Sequence, residues 1–178
     1  NEVLYLVGRK LVMQCATDAN GRSAFLPAYA SHWTGHSDGD ALDPEGVYCT
    51  PNWNYDLRTP SGVSVFGGYS LVVGESAENR QARFYVNGQT CVSNLYAYPG
   101  SFLFHASGVT GSIDGALHAI DPTGKGNFIY CVGREGATFS IKSQISGVAN
   151  IRFSTQNNFY GYGNPTFELG GTNTDYSG

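Results

Sequence analysis

The chain predicts an all-β domain, a sandwich or a jelly-roll barrel, on three observations. Its apolar residues fall in short runs of strand length, 24 Gly and 7 Pro punctuate the sequence, and no window repeats apolar residues at i, i+3, i+4 and i+7 over three turns. So many short strands need their edges covered, which packed sheets or a closed barrel provide. At 178 residues the chain suits one domain with a core of its own.

The expected strands follow in order, each rich in β-branched or aromatic residues or bounded by turn formers. The first two runs are residues 3–7, continuously apolar, and 11–15, apolar except for Gln14. After a long polar segment come 47–49, 63–66 and 69–73. Residues 82–86 and 89–92 flank Asn87-Gly88, the pair that supplies both positive-φ positions of a type I′ turn, so a hairpin is expected there. Further runs are 95–98, 101–105, 116–120, 128–132, 137–142, 148–154 and 166–169. One or two helical turns fit only around Glu75 to Arg80, and no repeat of fixed period is visible.

Charge excludes one class of partner. Only 13% of residues are charged, Lys stands only at positions 10, 125 and 142, and the net charge is -4, so no basic stripe is available for phosphates and no nucleic acid is expected. No apolar run approaches 18 residues, so membrane insertion is not expected either. Cys15, Cys49, Cys91 and Cys131 lie in or beside apolar stretches without a Cys-x-x-Cys pair. They read as two structural disulfides, which persist in an oxidising compartment and point to export. The absence of an Asn-x-Ser/Thr sequon with a permitted middle residue, Asn164-Pro-Thr being blocked by its proline, fits a bacterial exported protein.

Two loop segments gather the unusual polar and aromatic residues: residues 27–45, and the stretch after Cys49 holding Asn52, Trp53, Asn54, Tyr55 and Asp56. Sugar binding needs amides or carboxylates to pair with vicinal hydroxyls and an aromatic face to pack on the ring, and those five residues supply both. A similar cluster, Gln156, Asn157, Asn158, Phe159 and Tyr160, follows the strand ending at Ser154. As a structural alternative, the first group is a turn with Asx hydrogen bonds whose Trp53 covers the core edge.

Three segments resemble a known family. Cys15-Ala-Thr-Asp-Ala-Asn20-Gly21, then Tyr48-Cys49-Thr-Pro-Asn52-Trp-Asn54-Tyr55-Asp56, then Ser154-Thr-Gln156-Asn157-Asn158-Phe159 with Thr166-Phe167-Glu168-Leu169 beyond it, are similar, in order, to the lectin domain of chaperone-usher fimbrial tip adhesins of the type 1, mannose-binding kind. The resemblance implies an immunoglobulin-like or jelly-roll β-sandwich with disulfides Cys15–Cys49 and Cys91–Cys131. Residues 1–170 would be the lectin domain and 171–178 a linker towards a pilin domain. It implies an extracellular adhesin at a bacterial fimbrium tip, exported through the periplasm, whose partners are a host glycan, neighbouring fimbrial subunits and a periplasmic chaperone. Asn54, Asp56, Gln156 and Asn157 would bond the sugar, with Trp53 and Tyr160 as stacking faces and Asn52, Tyr55 and Asn158 beside them. Fourteen residues precede Cys15, and Tyr160, Tyr162 and Asn164 stand where the family places an acidic residue. A glycan longer or less hydrated than mannose, ending in galactose or an N-acetylated sugar, is the expected ligand.

Other chemistries are weaker in the sequence. His32 and His36 with Asp38, Asp40 and Asp43 resemble a zinc or calcium set, but Gly35 and Gly39 argue against the helix that i, i+4 histidines need, and the acidic spacing departs from an EF-hand. His105 and His118 are the remaining histidines; His118, in an alternating strand, reads as a sheet residue. No metal or cofactor is expected. A small jelly-roll glycosidase would draw on Glu75, Glu78, Asp114, Glu135 and Glu168, yet these form no patterned acidic pair on one strand. The expectation is a binding protein and not an enzyme; a glycosidase, a pilus subunit or a phage receptor-binding domain are the alternatives.

Overall fold

The structure, a computed structural model, describes residues 10–12, 42, 44–49, 56–74, 82–105, 110–133, 136–155, 164–172 and 175–178. Its strands are β1 (Lys10–Val12), β2 (Val47–Cys49), β3 (Asp56–Arg58), β4 (Gly62–Val65), β5 (Ser70–Val73), β6 (Arg83–Val86), β7 (Gly88–Ala97) and β8 (Phe102–His105). They continue with β9 (Gly111–Ala119), β10 (Phe128–Gly133), β11 (Thr138–Ile141), β12 (Gln144–Gly147), β13 (Asn150–Thr155), β14 (Thr166–Leu169) and β15 (Asp175–Tyr176). Among the described residues every strand pairing is parallel. The chain winds as a β-solenoid of about 4 turns.

From β3 onward each coil lays a strand on three faces in turn. Face I is the sheet β3-β6-β8-β10-β13. Face II stacks β4, the first half of β7, the first half of β9, β11 and β14. Face III stacks β1, β2, β5, the second halves of β7 and β9, β12 and β15. Thus β7 and β9 each turn a corner within one strand. The ladder shifts register between Val92 and Asn94, and opposite that bulge Gly115 takes φ +99°, a backbone that a side chain would strain.

The interior is built from columns one residue deep. On face III Tyr48, Leu71, Leu95, Leu117 and Ile145 stand in register. Face II contributes Ser64, Thr90, Ile113 and Ile141, and face I Leu57, Phe84, Leu103 and Cys131. All are buried, and all but Ser64 and Thr90 offer apolar atoms, so each large aliphatic side chain contributes about 1.5–3 kcal/mol of transfer free energy. The two polar members face each other, Ser64 Oγ to Thr90 Oγ1 at 3.4 Å, which satisfies them without water.

The expected sandwich is therefore corrected to a solenoid. Alternating short strands look alike in both, because period-2 patterning reports burial of one face and not which strand lies alongside. The repeat escaped notice because coils differ in length: Leu71 pairs with Leu95, Leu95 with Leu117, Leu117 with Ile145. The expected Asn87-Gly88 hairpin is also overturned, since β6 lies on face I and β7 begins face II. Asn87 instead makes a corner. Its amide N–H donates to Thr59 Oγ1 at 2.8 Å, its side chain donates to Thr59 O, and Gly88 passes so close to the Gly62 carbonyl that a Cβ would not fit.

The expected Cys91–Cys131 disulfide is corrected too, both thiols being free, whereas the expected Cys15–Cys49 bridge falls on a residue outside those described. Cys91 faces outward on face II opposite Asp114, whereas Cys131 points into the core from face I with 0% exposure, so their sulfurs cannot meet. Cys15 lies outside the described residues, and Cys49 is half-buried beside Val72 on face III. Of the expected strands, residues 3–7 fall outside the described residues, as does the helical turn around Glu75 to Arg80. Residues 171–178, expected as a linker, carry β15, which pairs with β12; Tyr176 packs against the core, and its hydroxyl donates to Ala149 O at 3.2 Å.

Candidate functional site

The outer sides of the three faces differ. On face III the outward residues Val47, Val72, Tyr96 and Tyr98 form their own buried cluster. His118 stacks on Tyr96 with ring centroids 4.4 Å apart and lies 2.9 Å from Ser146 Oγ through Nδ1, so this histidine is a sheet residue as expected. Burial closes this face to a ligand. On face II the outward row runs Gln89, Ser112, Ser140, Glu168, and Ser140 Oγ donates to Glu168 Oε2 at 2.6 Å, which engages that carboxylate within the wall.

Face I presents aromatics and arginines. Because Ile129, Cys131 and Ile151 turn inward, alternation turns Phe128, Tyr130, Asn150 and Arg152 outward. Phe128 pairs with Asn150 and Tyr130 with Arg152 in the β10–β13 ladder. Phe128 is 40% exposed, its ring centroid lies 6.3 Å from that of Tyr130, and the Arg152 guanidinium sits 5.6 Å from the Phe128 centroid. Arg152 is itself exposed. Further along the same face Arg58 lies 4.3 Å over the Tyr85 ring, and Tyr85 with Val132 is buried, with Tyr130 packed against them. The open part of the row is its Phe128–Arg152 end.

One wall of that end is the turn leading into β10. Asp121 accepts from Thr123 N at 3.0 Å, Thr123 Oγ1 at 2.8 Å, Gly124 N at 3.1 Å and Gly126 N at 3.0 Å. These bonds, the Thr123 hydroxyl first among them, hold its carboxyl below the usual value. Gly124 and Gly126 take positive φ of 61° and 67°, which aims their amides at one carboxylate. Asn150 Nδ2 then donates to Gly126 O at 2.9 Å, tying the turn to β13. Exposed Lys125 and Asn127 complete the rim. The result is a fixed surface with an aromatic platform, two cationic groups and amides.

Most sequence-expected site residues cannot be placed against this surface: Asn52, Trp53, Asn54, Tyr55, Gln156, Asn157, Asn158 and Tyr160 lie outside the described residues. So do His32, His36, Asp38, Asp40 and Asp43; among the described residues no group of three or more metal-ligating side chains occurs. Asp56 opens β3. The first expected loop leads into β3 and the second departs from β13; these are the first and last strands of face I, about 19 Å apart at a spacing of about 4.8 Å per strand. The sequence reading missed Phe128, Tyr130 and Arg152. Their signal was Phe-x-Tyr and Asn-x-Arg in two strands whose intervening residues are apolar, legible once the inward face is assigned. No family model, curated protein or solved structure matches this chain.

Proposed function

We propose that the protein is a carbohydrate-binding module that works outside the cell, and that it attaches to glycans through the Phe128–Arg152 surface and not by catalysis. The observation carrying this reading is the exposed Phe128 ring with half-buried Tyr130 next to it, beside a guanidinium and an amide, all held on parallel strands and a turn tied down by the Asp121 carboxylate. Aromatic faces pack on the C–H surface of a sugar ring, while Arg152, Lys125 and Asn127 offer donors to hydroxyls or carboxylates. Rigid strands keep the ordering cost of binding low. The fimbrial setting, with its pilin domain and chaperone, depended on a sandwich lectin fold and is not part of this reading.

A glycan array tests it. Binding should appear, and Phe128→Ala and Arg152→Ala should each weaken it roughly 5- to 100-fold, as expected for losing an interaction of about 1–3 kcal/mol. An array without any bound glycan would sink the proposal. If Asp56→Ala or Asn157→Ala abolishes binding while Phe128→Ala leaves it intact, the site belongs to the loops that the sequence first indicated.

A further inference from the structure

The two ends of the solenoid are finished differently. At the start, the inward residues Tyr48 of β2, Leu57 of β3 and Ser64 of β4 are 5%, 0% and 1% exposed. Tyr48 and Phe66 belong to the same cluster, with Leu42 packed against it, and their rings meet edge to face at 6.0 Å. At the far end, Phe153 and Leu169 occupy the columns of Cys131 and Ile141, yet they are 37% and 57% exposed where the residues beneath them are 0% and 1%. Phe167 leans edge-on against Phe153 at 5.2 Å and covers part of it. Among the described residues β13, β14 and β15 each pair on one side only. Three parallel strand edges and an open apolar core therefore share one end.

We infer that this end is a docking surface for one further parallel β-coil, with apolar residues at the levels of Phe153 and Leu169. Its continuity with the coil-to-coil interface already in the molecule supplies the argument. The inward columns of faces I and II run unbroken to this end, and on face III the corner geometry repeats there: Ser177 N donates to Gly147 O at 3.0 Å as Val148 N donates to Ala119 O at 2.9 Å. Gly178 consequently lies over Ala149, at the level where the coil below leads into β13. A second copy of this chain is the poorer occupant. Stacked head to tail, it would present an end whose inward residues are already covered; stacked tail to tail about a two-fold axis, it would set antiparallel strands against edges whose hydrogen-bond groups slant for a parallel partner.

Extension of the full chain tests the inference. Adding a copy of residues 128–149 directly after Gly178 puts the copied Ile129 over Ile151 and the copied Cys131 over Phe153, the pairing that β10 already makes with β13. The extended protein should bind an apolar dye several-fold less than the unextended one, and its Tm should rise by about 5 °C or more. The same extension with aspartate at the copies of Ile129, Phe139 and Ile141 should do neither. Leu169→Ser in the unextended chain should also lower dye binding, which locates the dye at this end. Unchanged dye binding and Tm on extension would overturn the inference. So would an unextended chain that sediments as a dimer and is returned to monomer by Leu169→Asp, since the occupant would then be a second copy.

Discussion

Truncating Leu95 to alanine distinguishes a solenoid interior from a surface more sharply than any other single change. Leu95 is fully buried and stands between Leu71 and Leu117 in consecutive coils of face III. The strands above and below are held by backbone ladders at about 4.8 Å, so they cannot close over a missing isobutyl group. A Leu→Ala change in such a site costs about 2–5 kcal/mol, the upper part of that range applying where the surroundings cannot collapse; a loss of about 3–4 kcal/mol is expected. Leu169 occupies an inward column of face II in the last coil but keeps 57% of its surface exposed, so less than half of a leucine's burial is lost on truncation and the cost falls to about 1 kcal/mol. Val63, 73% exposed on the outer side of β4, should cost less still. Urea unfolding followed by far-ultraviolet circular dichroism, with one common m-value, measures all three. Equal losses for Leu95→Ala and Leu169→Ala, or a loss below about 1 kcal/mol for Leu95→Ala, would refute the column packing.

Other expectations follow from corners, thiols and charge. Gly115→Ala places a Cβ against the Val92 carbonyl at φ +99° and should cost at least about 2 kcal/mol, whereas Gly124→Ala, at φ +61° with open space around it, should cost about 1 kcal/mol; the two melting temperatures decide. Burial pushes the Cys131 thiol up to about 12, so iodoacetamide at pH 8 should leave it unmodified in the folded protein, while half-exposed Cys91, raised by burial and then by Asp114, should react slowly. Reductant should leave the unfolding midpoint unchanged, and a drop would show a bridge involving Cys15. The Asp121 carboxyl titrates lower folded than unfolded, so its contribution is complete above the unfolded value near ~3.9 and disappears as pH falls through the folded value. Protection of the Gly124 and Gly126 amides, relative to their intrinsic exchange rates, should accordingly be high at pH 5 and fall in strong acid, and Asp121→Asn should lower it at pH 5 and change it little in strong acid.

Strand content was legible in the sequence because it depends on local chemistry. Residues 47–49 coincide with β2, and 128–132 and 166–169 fall on β10 and β14, since β-branched and aromatic runs between glycines favour extended backbone wherever they end up. The inward and outward alternation of Phe128, Ile129, Tyr130 and Cys131 was likewise written in the chain. Pairing was not. Asn87-Gly88 has the chemistry of a hairpin, yet Thr59, distant in sequence, receives its hydrogen bonds, and only the stacking of one coil on another brings the two together. The expected Cys91–Cys131 bridge failed for the same reason, since each cysteine suits a strand but the faces to which they belong point their sulfurs apart. The Phe128–Arg152 surface joins two strands and a turn that are adjacent only because β13 lies beside β10. Local propensity determined that this protein is made of short strands; the partner of each strand, and therefore the solenoid, its covered and open ends and its Phe128–Arg152 surface, was decided by contacts between residues a whole coil apart.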